Sequence, residues 1–194
     1  MKINRTIKLL LISDIFVITG FGFIAPIMAI YISDNIIGGT ILGAGIATAI
    51  FMVTKATIQL PFSKYVDTHD DNHDIRSLII GTILIATVPF VYIFSKTITD
   101  VYLAQLLYGI GAGFASPSWL GLWSTHLDKK MESFEWSLYS SSVSIGTAIS
   151  AVIGAALAEY LGFKSTFIFV GVMSMIGCAI LFNLLMKEKK KTSQ

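Results

Sequence analysis

Two oppositely charged side chains stand out in this sequence because each interrupts a long apolar run. Asp14 lies within residues 9–31, and Lys55 lies within residues 40–62. A charge inside a bilayer costs about 2.5 to 3.5 kcal/mol on insertion scales, so such a side chain usually faces the protein interior and has a partner. Ionisable groups in this setting are candidates for a functional site, and their simplest chemistry is an ion pair.

The two charges are predicted to lie at the same depth. At a rise of 1.5 Å per residue, Asp14 is roughly 8 to 9 Å and Lys55 roughly 10 Å from the same membrane edge. A short turn at residues 33–39 would place the two helices side by side and antiparallel. We therefore predict an Asp14–Lys55 ion pair, which either fixes the register of the helices or serves a function.

The composition indicates an integral membrane protein that is entirely α-helical. Of its 194 residues, 54% are hydrophobic and only 13% are charged, which is more apolar than a soluble domain. Each crossing helix needs about 20 apolar residues. Six runs meet this requirement approximately, at residues 9–31, 40–62, 78–94, 101–123, 137–160 and 165–186.

The basic residues predict the orientation of these six runs. Of the fourteen Lys and Arg residues, Lys55 lies within a run, and only Lys96 and Lys164 lie on the side opposite the termini. Because cytoplasmic loops are enriched in Lys and Arg, both termini are predicted to be cytoplasmic, in the cell (inner) membrane, with the basic tail at residues 187–191 as an anchor. Trp119, Trp123 and Trp136 fall near the inner interface, where amphipathic rings commonly lie at headgroup level.

Small residues recur at every fourth position in two of the runs. One stripe is formed by Gly109, Gly113, Pro117 and Gly121, and the other by Gly146, Ser150, Gly154 and Ala158. Such stripes let helix backbones approach closely, so both predict tight helix contacts. In the first run, the glycines at 20 and 22 and the proline at 26 predict a bend.

The loop between the second and third runs is acidic and carries His69 and His73, four residues apart. Metal binding by this pair is a minor alternative to a solvated loop, because neither cysteine nor a fixed helix supports it. Catalytic constellations and phosphate-binding motifs are not found, so the sequence favours a protein that is not an enzyme and has no cofactor, metal or nucleic-acid partner.

Three segments resemble the N-terminal six-helix half of the major facilitator superfamily. The segment SKYVD, with Asp67 and the later Arg76, resembles the Gly-x-Leu-Ala-Asp loop, although Ser63 replaces its glycine. The segment from Gln105 to Gly113 resembles the Arg-x-x-x-Gly-x-Gly segment, with glutamine in place of the arginine. The fifth run resembles the family's glycine-rich segment but lacks its proline.

This resemblance implies a half bundle of two inverted three-helix repeats. It also implies that the first and fourth helices line a cavity, while the second and fifth form a seam with another six-helix half. Candidate cavity residues are Asp14, Lys55, Gln105 and Tyr108. The stripe from Gly146 to Ala158 would then be the seam of a homodimer, or of a heterodimer with another half.

Two functions are compatible with these features. The favoured one is a half-size secondary transporter that moves a small solute through a cavity between two protomers in the lipid bilayer. The alternative is a membrane scaffold, or a truncated remnant of a full-length transporter, in which the two charges only fix packing.

Overall fold

The computed structural model describes the backbone of residues 3–192 and the side chains of residues 3–186. Within this range the chain is helical, and strand pairing is limited to one isolated bridge between Ile37 and Thr97. This confirms the predicted all-α class. The predicted basic anchor at residues 187–191 lies outside the described side chains. The helices are α1 (Arg5–Asp14), α2 (Gly20–Gly22), α3 (Met28–Asn35), α4 (Ile41–Val66), α5 (Asp71–Phe94), α6 (Ile98–His126) and α7 (Glu132–Thr192).

The first apolar run is not one continuous helix. After α1 the chain forms a π-helical segment, Ile15–Thr19, then the single turn of α2, and an irregular turn at residues 23–27 before α3. Pro26 lies in this irregular turn, where it has no amide hydrogen to donate to the carbonyl four residues earlier. The predicted bend thus corresponds to an interruption of the helix at residues 23–27.

Helix α7 contains two limbs joined at Gly162. This glycine has φ 81° and ψ 162°, a backbone conformation that costs glycine little but strains other residues. We call residues 132–161 the first limb and residues 163–192 the second limb. The predicted runs 137–160 and 165–186 fall one in each limb.

Three helices of the described chain are long and apolar enough to cross a membrane. They are α4, with mean hydropathy 1.7, α5, with 2.2, and α7 over Glu132–Met186, with 2.3. The part of α7 that qualifies has 55 residues, well above the roughly 20 that one crossing needs. The pieces of the first apolar run are each too short, because the interruption divides that run.

Helix α6 packs on both α4 and α5. A β-carbon added at Gly109 would lie 2.6 Å from the Cβ of Thr54, and one added at Gly113 would lie 2.7 Å from the Cβ of Ile58. No such carbon fits without displacing α4. The close helix contact predicted from the first small-residue stripe is therefore confirmed.

The inner-side tryptophans form part of the protein core instead of a lipid-facing belt. Trp123 is fully buried and Trp119 is 8% exposed. Their rings stack with centroids 4.8 Å apart, and Tyr139 packs on Trp119 at 4.6 Å. These two rings therefore pack within the bundle, where α6 turns them towards the first limb of α7.

Candidate functional site

Asp14 occupies the last position of α1, where the helix passes into the π-helical segment. Such segments are rare and occur frequently at functional sites. The Asp14 Oδ2 atom accepts a hydrogen bond of 2.7 Å from the Tyr139 hydroxyl on the first limb. The adjacent Ser13 hydroxyl donates to the Gly177 carbonyl on the second limb at 2.8 Å. Both limbs of α7 thus fix the position of the carboxylate.

The Asp14 side chain faces a cavity of about 430 Å³. This volume lies within the range of about 300 to 1,000 Å³ that is usual for small-molecule sites. Asp14 and Lys55 supply the two charges in its lining. The remaining wall is mainly apolar and aromatic, with rings from Phe21, Phe51, Tyr108, Trp119, Trp136 and Tyr139.

The predicted ion pair between Asp14 and Lys55 is not formed. Among the described side chains, the ion pairs within 4.0 Å are those of His73 with Asp70 and of His126 with Asp71. Helix α4 packs mainly on α6, and next on α3, whereas α1 and the π-helical segment pack on α7. The two charges therefore line the same cavity from different helices, Asp14 from α1 and Lys55 from α4.

A second cavity, of about 330 Å³, contains Gln105. It is lined by Met28, Thr48 and Tyr92, which belong to the end of the bundle nearer Lys96. Tyr108 borders both cavities, whereas Gln105 borders only this one. The four predicted cavity residues are thus divided, with Asp14 and Lys55 in the first cavity and Gln105 in the second.

A stack of three aromatic rings separates the two cavities. Tyr108 lies in the middle, with its ring centroid 4.5 Å from that of Phe21 and 4.2 Å from that of Phe51. The interplanar angles are 23° and 25°, so both contacts are stacked. The rings come from α2, α4 and α6, and all three line both cavities. We call this arrangement the three-ring barrier.

The second small-residue stripe packs within the chain and is not available as a seam. A β-carbon at Gly154 would lie 2.5 Å from the Cα of Phe23, and one at Gly146 would overlap the Thr19 side chain. Ser150 is 4% exposed and faces Gly22. The prediction of close contact is confirmed, but the dimer seam assigned to this stripe, including the half-buried Ala158, is wrong. The interrupted first helix needs that surface, since its own backbone approaches the first limb closely.

The residues of the loop motif lie apart from the cavities. Asp67 follows α4 as its C-cap and is exposed, and Arg76 is exposed on α5. Asp70 caps the N-terminus of α5, and its pKa is held below the usual value by hydrogen bonds from the His73 side chain and backbone N–H. The later part of the acidic segment therefore forms the start of helix α5 and is not a solvated loop throughout.

Sequence reasoning missed the aromatic walls of the site. The sequence pattern does not distinguish Tyr139, whose hydroxyl donates a hydrogen bond to Asp14. Phe21 and Phe51 belong to ordinary apolar runs. Their ring contacts join residues far apart in the chain, so only the helix arrangement identifies them.

An all-helical apolar bundle that holds ionisable side chains against a cavity is typical of membrane transport proteins. Residues 10–194 match the Major Facilitator Superfamily. The match covers nearly the whole chain, so this protein belongs to that superfamily of transporters, as its resemblance to three of the family's segments predicted.

Two named relatives extend this assignment. The "Uncharacterized MFS-type transporter MJ1560" of Methanocaldococcus jannaschii is 26% identical over 92% of this chain and 45% of its own length. The "Quinolone resistance protein NorA" of Staphylococcus aureus is 22% identical over 98% of this chain and 47% of its own length. The chain thus spans about half the length of these relatives.

Proposed function

We propose that this chain forms one six-helix half of a secondary transporter that moves a small solute across the cell membrane. The observation that carries the proposal is the cavity that holds Asp14 and Lys55 on different walls without a direct ion pair. Two half-buried charges kept apart within a membrane bundle are costly, and a solute that contacts them would recover part of that cost. A pair that only fixed packing would be expected to close.

The proposed topology has six crossings. The first run crosses as an interrupted helix, α4, α5 and α6 each cross once, and the two limbs of α7 cross in opposite directions. This arrangement leaves both termini cytoplasmic and places Lys96 and Lys164 outside. The uneven distribution of Lys and Arg and the break at Gly162 support it.

Cysteine labelling tests this topology. In a Cys178→Ala background, Lys96→Cys is expected to react with a membrane-impermeant maleimide from outside, and Lys129→Cys only after the inner face is made accessible. Both lysines are exposed, so neither change disturbs the core. The reverse labelling pattern would overturn the orientation, and equal labelling of both positions from outside would overturn the number of crossings between them.

A second six-helix body would complete the solute pathway. Helix α4 has a mostly exposed apolar span, of which 11% is buried within the chain. The first limb also exposes apolar side chains, among them Ile145, Ile149, Val152 and Ile153. These faces, and not the small-residue stripe, are where we expect a second copy or another half to bind. The inverted three-helix repeats of the family would relate the helices within each body.

Transport is tested by solute flux in proteoliposomes that contain the chain with its second body. One relative is named for quinolone resistance, so a fluorescent quinolone is the first solute of an organic panel. Uptake above that of empty vesicles would support the proposal. Absence of flux for every solute from a correctly inserted, folded complex would instead favour the non-transporting scaffold.

The three-ring barrier is the proposed gate between the two cavities. With both termini cytoplasmic, the cavity with Asp14 opens inward and the cavity with Gln105 lies towards the outside. A solute that passes from one to the other must displace the rings of Phe21, Tyr108 and Phe51. The interrupted first helix carries one of these rings on the single turn of α2, where a small movement can unstack it.

Truncating the central ring is expected to open the barrier. In Tyr108→Ala, a cysteine placed at Ser116 in the inner cavity should react with an external, water-soluble thiol reagent at least about tenfold faster, because the void joins the two cavities. Tyr102→Ala, which removes a tyrosine of the same helix away from both cavities, is the matched control. Unchanged reactivity in a folded Tyr108→Ala protein would refute the gate.

A further inference from the structure

We propose that the solute is a zwitterion with a flat apolar body, whose cationic group binds Asp14 and whose anionic group binds Lys55. The proposal rests on the transport function above and names the chemical class of the solute. It depends on three features of the 430 Å³ cavity: its two charges, their free binding capacity, and its aromatic walls.

The charge balance of the cavity favours a zwitterion. The described lining has one carboxylate and one ammonium group, and no further charged side chain among its members. A cation alone would neutralise Asp14 and leave Lys55 without a counter-charge, and an anion alone would do the reverse. Because a charge left unpaired in a low-dielectric site is costly, a solute that carries both charges binds better than either singly charged analogue.

Both charged groups retain hydrogen-bonding capacity for a ligand. One oxygen of Asp14 accepts the Tyr139 hydroxyl, and the described side chains supply no donor to its other oxygen. The Lys55 ammonium group forms neither an ion pair nor a hydrogen bond with the part of the chain that is described. Ammonium has three donors and a carboxylate has acceptor sites on both oxygens, so each can bind an opposite charge directly.

The aromatic walls of the cavity favour a flat, apolar body. Phe21, Phe51 and Tyr108 form one end of the cavity, and Trp119, Trp136 and Tyr139 lie along it. Aromatic side chains bind planar groups by stacking or edge contacts. A neutral solute would leave both charges without a counter-charge.

Four compounds that share an indole ring but differ in charge test whether the cavity prefers a zwitterion. Tryptophan is a zwitterion, tryptamine a cation, indole-3-propionate an anion and tryptophol neutral. The readout is protection of Ser116→Cys from maleimide in a Cys178→Ala background, measured on the reconstituted protein at equilibrium. Tryptophan is expected to protect at a concentration at least about tenfold lower than each of the other three.

Variants of Asp14 and Lys55 test which charged group of the ligand each side chain binds. In Lys55→Met, tryptophan should lose its advantage over tryptamine, and in Asp14→Asn it should lose its advantage over indole-3-propionate. Lys164→Met and Asp34→Asn remove exposed charges of the same types away from the cavity and should keep the native order. A thermal unfolding midpoint, measured for every variant, identifies those that fail to fold, and the uncharged Lys55→Gln and Asp14→Ser then replace them.

Equal protection by tryptophan and a singly charged compound would overturn the proposal, and so would failure of all four compounds to protect the native protein. The proposal would also be overturned if tryptophan kept its advantage over tryptamine in a folded Lys55→Met protein. This binding test is independent of flux. If tryptophan binds with the expected preference but is not transported, the binding site is supported and transport is refuted. If tryptamine alone is transported, transport is supported and the zwitterion site is refuted.

Discussion

Gly154→Leu is expected to prevent the chain from reaching its native fold. A β-carbon at this position would lie 2.5 Å from the Cα of Phe23 and 2.8 Å from its carbonyl carbon. Both atoms belong to the backbone of the interrupted first helix, so they cannot move aside as a side chain does. Overpacking commonly costs 1 to 3 kcal/mol, and we expect about 3 kcal/mol or more here, a large part of the 5 to 15 kcal/mol of a typical domain.

The matched control is Gly45→Leu. Gly45 is a helical glycine on α4 with no atom within 4 Å of an added β-carbon, so this variant should remain monodisperse in detergent with a nearly native unfolding temperature. The measurement also separates the two interpretations of the small-residue stripe. If the stripe were a seam between protomers, Gly154→Leu would give folded monomers, and that result would contradict the packing described here.

Asp14→Asn is expected to lower solute flux by about 30-fold or more while the protein still folds. Loss of one member of a buried charged contact typically costs 2 to 5 kcal/mol. Asparagine has nearly the same shape, and its amide oxygen can still accept the Tyr139 hydroxyl, which now fixes Asp14. Flux in proteoliposomes is compared at equal amounts of folded protein, with the exposed Asp34→Asn as control.

The same variant tests the direct ion pair. If Asp14 and Lys55 were bonded in the native protein, Asp14→Asn and Lys55→Met would each lower the unfolding temperature strongly, and the double variant would recover part of the loss. Because the two groups form no ion pair, we expect each single variant to lower the unfolding temperature only slightly. The decrease in the double variant should be close to the sum of the two single decreases. Normal flux per folded molecule in Asp14→Asn would show that the carboxylate has only a structural role.

Much of the local architecture could be predicted because it depends on neighbouring residues. The approximate extent of the long helices and the break near Pro26 follow from residue types along one stretch of chain. The close approach of the small-residue stripes was likewise predictable, since glycine leaves a helix surface flat whatever packs on it.

Which surfaces meet was decided by the tertiary structure alone. The stripe at Gly146 and Gly154 contacts the first helix of its own chain, and Asp14 is bonded to Tyr139 instead of Lys55. The three-ring barrier likewise joins Tyr108, a predicted cavity residue, to Phe21 and Phe51, which no sequence pattern distinguishes. The physical reason is that spacing determines which residues share a face and how deep they lie, whereas the rotation and neighbours of each helix depend on the packing of the whole bundle.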